Sequence, residues 1–105
     1  MILIIGSTQY KEKIEAHAEK LRAEGKEVLI PAFDDRTELD ELGVCEHNRE
    51  LVEKADEIHI LWDQRSTGTV FDFGMAFALR KKIRIVYMEP KTFAGVMKKY
   101  ERKRL

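Results

Sequence analysis

Four short apolar runs alternate with segments of helical periodicity along this chain. Continuous runs of β-branched and aliphatic residues are typical of strands that are buried on both faces of a parallel sheet. These runs predict strands over Met1–Ile5, Glu27–Pro31, Ile58–Trp62 and Ile83–Met88. Between them, apolar residues that recur every three or four positions predict amphipathic helices.

The first helix is predicted after Gly6, and a second glycine, Gly25, stands where a helix C-terminus is expected. Its apolar stripe consists of Tyr10, Ile14, Ala18 and Leu21. The other three helices are predicted over Val44–Ala55, Thr69–Arg80 and Thr92 to about Arg102. The last of these carries Phe93, Val96, Met97 and Tyr100 on one side. The acidic segment Ala32–Gly43 shows no periodicity and is predicted to be a loop.

Alternation of strands and helices predicts an α/β fold in which helices cover both faces of a parallel sheet. Right-handed crossovers then favour a small doubly wound, flavodoxin- or Rossmann-like sheet with strand order 2-1-3-4, with a short fifth strand allowed. A chain of 105 residues makes one domain, so residues 1–105 are predicted to fold as a unit. In such sheets ligands bind beyond the carboxyl ends of the strands, here between the first and third strands.

Two polar loops are expected to meet at that point, each at the start of a helix. Backbone N–H groups at a helix start favour anions, and one arginine with several hydroxyls suggests a phosphate or sugar-phosphate. Neither loop is a Walker loop or a G-x-G-x-x-G motif, and ordinary helix capping is the alternative. The candidate substrate-binding residues are Gly6, Ser7 and Thr8 in the first loop and Arg65, Ser66, Gly68 and Thr69 in the second.

Asp72 lies in a helix whose other residues are almost all apolar. If Thr69 is the N-cap, Asp72 stands three residues later and completes a Thr-x-x-Asp capping box, which is a purely structural role. The alternative is a working carboxylate beside the ligand cleft. Gly74, which costs a helix about 1 kcal/mol relative to alanine, indicates that a ligand or a neighbouring helix approaches closely.

Asn48 falls on the inward stripe of the second predicted helix, with Val44, Leu51, Val52 and Ala55. A polar side chain on a core-facing stripe needs a hydrogen-bond partner. That partner is expected to be either nearby backbone or a ligand.

Composition narrows the class of protein. Lys and Arg together balance Asp and Glu at 19 each, which argues against a dedicated nucleic-acid binder. The single cysteine, Cys45, excludes an intramolecular disulfide and suits a reducing compartment. No apolar stretch is long enough to span a bilayer. We therefore expect a cytoplasmic protein that binds neither membranes nor nucleic acid.

Five of the last eight residues are basic, which indicates either a solvated helix end or a tail that contacts phosphate.

The segment from Ala55 and Asp56 through the third strand to Ser66–Ala76 resembles the nucleoside 2-deoxyribosyltransferase-like family, and the resemblance extends over about 80 residues. Its hallmark is a glycine-bearing loop followed by a carboxylate, one intervening residue and a glycine, here Gly68, Asp72 and Gly74. The family includes transferases that exchange bases on 2-deoxyribose and N-hydrolases of 2′-deoxynucleoside 5′-phosphates.

The resemblance implies that Asp72 is the nucleophile that attacks C1′ and expels the base, by retaining-glycosidase logic. It also implies that Ser7 and Ser66 hold a 5′-phosphate, that no cofactor is needed, and that the site is completed in a homodimer, with Trp62, Phe71 or Tyr100 as candidate contacts. Two positions depart from the family. Asp72 stands where the family usually has Glu, and Asn48 stands where an acid is usual.

Because an amide cannot serve as a general acid, Asp63 and His47 are the candidates to replace it, and Asp72, Asp63 and Asn48 are the predicted catalytic residues. Two other functions stay open. One is a non-catalytic nucleotide-binding protein of the same fold. The other is a minimal dinucleotide-binding unit in which Asp34 or Asp35 holds a ribose.

Overall fold

A computed structural model describes residues 1–30, 39–89 and 92–104. Its four strands are β1 (Ile2–Gly6), β2 (Val28–Leu29), β3 (Glu57–Trp62) and β4 (Lys82–Met88). They form one sheet of order β2-β1-β3-β4 in which each neighbouring pair is parallel. The α/β class and the 2-1-3-4 strand order predicted from the sequence are therefore confirmed. The register shifts between Ile60 and Leu61, opposite β4.

Four helices accompany the sheet: α1 (Lys11–Ala23), α2 (Glu41–Lys54), α3 (Thr67–Ala78) and α4 (Phe93–Arg104). A short 3-10 turn over Thr8–Tyr10 leads into α1. One core cluster packs α1 against one sheet face through Ile14, Ala18 and Leu21. A second cluster packs α2 and α3 against the opposite face through Leu51, Val52 and Ala76. The sheet is thus covered on both faces, as its uninterrupted apolar strands require.

Details of the α1 prediction are confirmed. All four residues of its predicted stripe are buried, and Gly25 follows the helix with a φ of 84°, a conformation that glycine adopts without a Cβ clash.

The predicted start of the second helix is wrong. α2 begins at Glu41 instead of Val44, because the Asp40 carboxylate caps it by accepting a hydrogen bond from the Gly43 N–H at 2.6 Å. The apolar side of α4 is not buried by the described residues: Phe93 and Met97 are largely exposed. Of the described helices, none is long and apolar enough to cross a membrane.

A histidine pair lies between α1 and the sheet, which the sequence did not reveal. His17 Nε2 is 2.9 Å from Nδ1 of the buried His59, so one ring must donate and the other accept. On its far side His59 Nε2 lies 3.3 Å from the Glu57 carboxylate. Burial, followed by the neighbouring His59 and Lys20, lowers the pKa of His17.

This pair predicts a pH-dependent loss of stability. Because the folded state disfavours protonated His17, the unfolded chain binds more protons as the pH falls below the ordinary histidine pKa of about 6.5. We expect His17→Gln, which keeps a group that can donate to His59, to be less stable than wild type at pH 7.5 by an amount that shrinks at pH 5.5. Urea unfolding of both proteins at the two pH values measures this difference. A stability difference that is independent of pH would contradict the prediction.

Candidate functional site

The loops after β1 and β3 are joined at the carboxyl edge of the sheet, where the sequence predicts a ligand. The backbone N–H of Asp63 donates to Ser7 Oγ at 3.1 Å, and Gln9 Nε2 donates to Asp63 Oδ2 at 2.7 Å. Asp63 Oδ1 accepts two further bonds from the N–H groups of Arg65 and Ser66, at 2.9 and 2.8 Å. We call this set of contacts the loop junction.

Asp63 is the centre of the loop junction. Burial works to raise its pKa, but the N–H groups of Ser66 and Arg65 and the Ser7 hydroxyl outweigh burial, and the pKa is lowered. Asp63 is therefore an ionised acceptor near neutral pH and has no proton to give. The neighbouring Gln64 has a φ of 63°, which turns the chain sharply enough for the next two N–H groups to reach the carboxylate.

Ser7 and Gly6 join the end of β1 to the end of β3. Ser7 is buried, its N–H donates to the Leu61 carbonyl at 3.0 Å, and its hydroxyl accepts from Asp63. A Cβ at Gly6 would overlap the Leu61 carbonyl oxygen and lie 3.0 Å from the Ile14 side chain. Glycine is thus required here by the close approach of β1 and β3.

The remaining predicted substrate-binding residues surround this junction. Thr8, Arg65 and Gly68 are exposed beside it, and Thr69 is buried. Ser66 precedes the first residue of α3, and its hydroxyl accepts from Thr69 Oγ1 at 3.2 Å. The Ser66 carbonyl accepts from the Trp62 indole N–H at 3.0 Å, so the start of α3 is held by the end of β3.

The capping-box explanation of Asp72 is wrong. α3 begins at Thr67 with Ser66 as N-cap, so Thr69 is the third helical residue and Asp72 the sixth. At that depth backbone N–H groups are already used by the helix itself. Asp72 instead points inward with Thr69 and Ala76, the other buried residues of α3.

Asp72 is a buried carboxyl with a raised pKa. Its residue is 9% exposed, and desolvation raises its pKa to about 6, against the opposing effect of a hydrogen bond with the Asn48 side chain. Asn48 is likewise buried and reaches Asp72 from α2. This pairing was not anticipated: backbone or a ligand was expected as the partner of Asn48. The sequence did carry one signal for this pairing: Asn48 and Asp72 are lone polar residues on the inward stripes of successive helices.

The other sequence candidates are placed as follows. His47 is half-buried on α2 beside Asn48. Gly74 is exposed, and beyond its own helix backbone and chain neighbours no heavy atom of the described residues lies within 4 Å of where its Cβ would be, so none of the described helices accounts for it by close packing. Asp34 and Asp35 lie outside the described residues.

A sequence model of a known family provides an independent comparison. The model described as nucleoside 2-deoxyribosyltransferase matches residues 4–103, nearly the whole chain. The chain belongs to the nucleoside 2-deoxyribosyltransferase family. Neither curated proteins nor solved structures gave a match. Membership confirms the resemblance carried by Gly68, Asp72 and Gly74. The matched region of this chain includes both the loop junction and the Asp72–Asn48 pair.

Proposed function

We propose that this protein cleaves the bond between base and sugar in 2′-deoxynucleotides, with Asp72 as the nucleophile. The observation that carries the proposal is a carboxyl that is buried on α3, has no capping role, and has a pKa raised to about 6. Perturbed carboxyls of this kind are frequent at catalytic sites. Family membership supports the same reaction class.

The proposed reaction has two displacements at the same carbon. Ionised Asp72 attacks C1′, an ester bond forms from its oxygen to C1′, and the bond from C1′ to the base nitrogen breaks with its electron pair going to the base. The departing base takes up a proton. Water then attacks C1′, the ester bond breaks, and the Asp72 carboxylate is regenerated while the water gives up a proton. In a transferase a second base replaces the water.

We infer that Asn48 and Asp63 act by positioning other groups. Asn48 holds the Asp72 carboxyl through its amide. Asp63 fixes the Arg65 and Ser66 backbone beside the start of α3, where a 5′-phosphate would meet the Arg65 guanidinium and the first N–H groups of the helix. Since Asp63 is ionised, the half-buried His47 is the better candidate to supply the proton taken up by the base.

The test is chromatographic detection of free base after incubation with a panel of 2′-deoxynucleoside 5′-monophosphates and the corresponding nucleosides. We expect base release from the monophosphates, with a weaker response from nucleosides and in Arg65→Gln. If no base is released while nucleotides still raise the melting temperature, the protein is a non-catalytic nucleotide-binding member of the family.

We also propose that two copies associate through the outer face of α3. That face presents Phe71, Phe73 and Phe77, which are 53%, 40% and 71% exposed. Aromatic patches of this size on a soluble chain mark interfaces. Gly74 lies on the same exposed side, and its missing side chain leaves space for a second backbone.

Sedimentation velocity tests the association. We expect a dimer for the wild type and a monomer for Phe77→Glu, which places a charge in the proposed contact. Lys20→Gln on α1 lowers the net charge by the same one unit, serves as the control, and is expected to stay dimeric. A wild-type monomer at micromolar concentration contradicts the proposal.

A further inference from the structure

The basic end of the chain forms one wall of a cavity on the face of the sheet that α1 covers, opposite the face covered by α3. An open cavity of about 820 Å³ lies between α1, the end of β4 and α4. Four cationic side chains line it: Lys13 from α1, and Lys99, Arg102 and Lys103 from α4. We call it the basic cavity. Its volume falls within the range of small-molecule sites, about 300–1,000 Å³.

The positive charge of the basic cavity is concentrated by the fold. The chain as a whole is neutral, yet four cations here meet one lining carboxylate, that of Glu89. Lys99, Arg102 and Lys103 stand at positions i, i+3 and i+4 of one helix, so they project from one side of it. Lys13 comes from a distant part of the sequence. A solvated helix end was one of the two alternatives for the basic residues at the end of the chain. It does not explain why Lys13 of α1 lines the same cavity as these residues.

The single carboxylate is already engaged. Glu89 accepts a hydrogen bond from the Tyr87 hydroxyl. That bond first, and then the charges of Lys99, Lys13 and Arg102, lower the pKa of Glu89, so each of these three cations acts on the same carboxylate. Within the described parts of the chain, the three α4 cations form no ion pair with any carboxylate. The cavity therefore keeps an excess of positive charge.

We propose that the basic cavity binds a polyphosphate anion, either inorganic or as the phosphate chain of a nucleotide. Several phosphate groups in a row match several cations better than one carboxylate does, and a guanidinium binds phosphate with two parallel hydrogen bonds. The Tyr87 ring, which Lys13 Nζ approaches at 4.7 Å from its centroid, adds an aromatic wall.

The basic cavity is connected to the loop junction through two adjacent residues, Gln9 and Tyr10. Tyr10 donates its hydroxyl to the Glu89 carbonyl at 3.1 Å, and its ring lies edge-on to Tyr87 with 5.1 Å between centroids. Its neighbour Gln9 donates to Asp63. An anion that shifts the end of β4 would therefore act on the loop that holds Asp63. The binding proposal itself is independent of the reaction proposed for Asp72.

Titration calorimetry with inorganic pyrophosphate and with a nucleoside triphosphate tests the proposal. We expect both to bind wild type, and the double variant Lys99→Gln/Arg102→Gln to weaken pyrophosphate binding about tenfold or more. The control double variant Lys20→Gln/Lys98→Gln makes the same change in net charge outside the cavity and should retain affinity within about twofold. Tighter binding of the nucleotide than of pyrophosphate, if it is lost in Lys99→Gln/Arg102→Gln and kept in Arg65→Gln, would identify the nucleotide as the preferred source of the phosphates.

Four outcomes overturn the proposal. Pyrophosphate fails to bind wild type, or the control variant loses as much affinity as the cavity variant. Arg65→Gln abolishes binding while Lys99→Gln/Arg102→Gln does not, which assigns the anion to the loop junction. Single-stranded DNA binds through Lys99 and Arg102 and pyrophosphate does not, which makes the surface a nucleic-acid contact. Circular dichroism of each variant checks that the fold is intact.

Discussion

Asp72→Asn is expected to stabilise the fold at pH 7.5 by up to about 3 kcal/mol while removing base release. The stabilisation follows from the pKa of Asp72, raised from 3.8 to about 6, because each pKa unit corresponds to about 1.4 kcal/mol. The folded state binds the Asp72 proton more tightly than the unfolded state does. Ionisation of Asp72 therefore lowers the free energy of unfolding. The full loss is present above about pH 6, and it is absent below pH 3.8.

Urea unfolding of wild type and Asp72→Asn at pH 7.5 and 4.5 measures the effect. The advantage of the variant should be largest at pH 7.5 and should shrink at pH 4.5. Asp63→Asn is a matched control, since it makes the same chemical change at a carboxyl whose pKa is lowered. It should destabilise the protein at pH 7.5. If Asp72→Asn and Asp63→Asn changed the stability at pH 7.5 in the same direction, burial of Asp72 would not control its ionisation.

The same variant is expected to lose catalysis. An amide cannot form the ester to C1′, so we expect base release to fall by at least about a thousandfold. In wild type the rate should rise with pH through about 6, as Asp72 ionises. Base release that survives in Asp72→Asn, measured on protein shown to be folded, would sink the assignment of the nucleophile.

Gly6→Ala is the second large effect that we expect. A methyl group there overlaps the Leu61 carbonyl oxygen, and backbone in a central pair of strands cannot yield as a side-chain tip does. We expect a loss of stability on the order of 3 kcal/mol, with separation of β1 from β3 at the loop junction. Differential scanning calorimetry of the variant gives the loss.

Gly74→Ala is the matched control for this substitution. Beyond its own helix backbone and chain neighbours, its Cβ meets no heavy atom of the described residues within 4 Å, and alanine is better than glycine in a helix by about 1 kcal/mol. It should therefore stabilise the isolated chain or leave it unchanged. Unaltered stability in Gly6→Ala would show that the two strands can part at little cost.

The fold followed from the sequence because its signals were local. Continuous apolar strands, a stripe such as Ile14–Ala18–Leu21, and Gly25 after a helix are each set by neighbours within a few residues. Strand order then followed from the handedness of the crossovers. The meeting of the first and third loops was predicted on the same grounds, and the bonds from Gln9 to Asp63 and from Asp63 to Ser7 confirm it.

The errors arose at helix starts and where distant residues pair. The loop was predicted to run to Gly68, so the start of α3 was placed two residues late, at Thr69, and Asp72 was given a possible cap role. The bond between Asn48 and Asp72 joins two helices, and the His17–His59 pair joins a helix to a strand. Spacing along the chain shows that a polar residue faces inward, but it does not show which distant residue it meets.

The position of β4 at one end of the sheet bears on how copies of this chain can assemble. Among the described strands none lies beyond it, and its Lys82 and Arg84 side chains are exposed. If two copies paired along β4, these like-charged side chains would repel each other. Charged side chains on an edge strand are a known protection against such edge-to-edge pairing. The proposed twofold contact through α3 would close on itself and yield a finite particle instead of a lengthening ribbon.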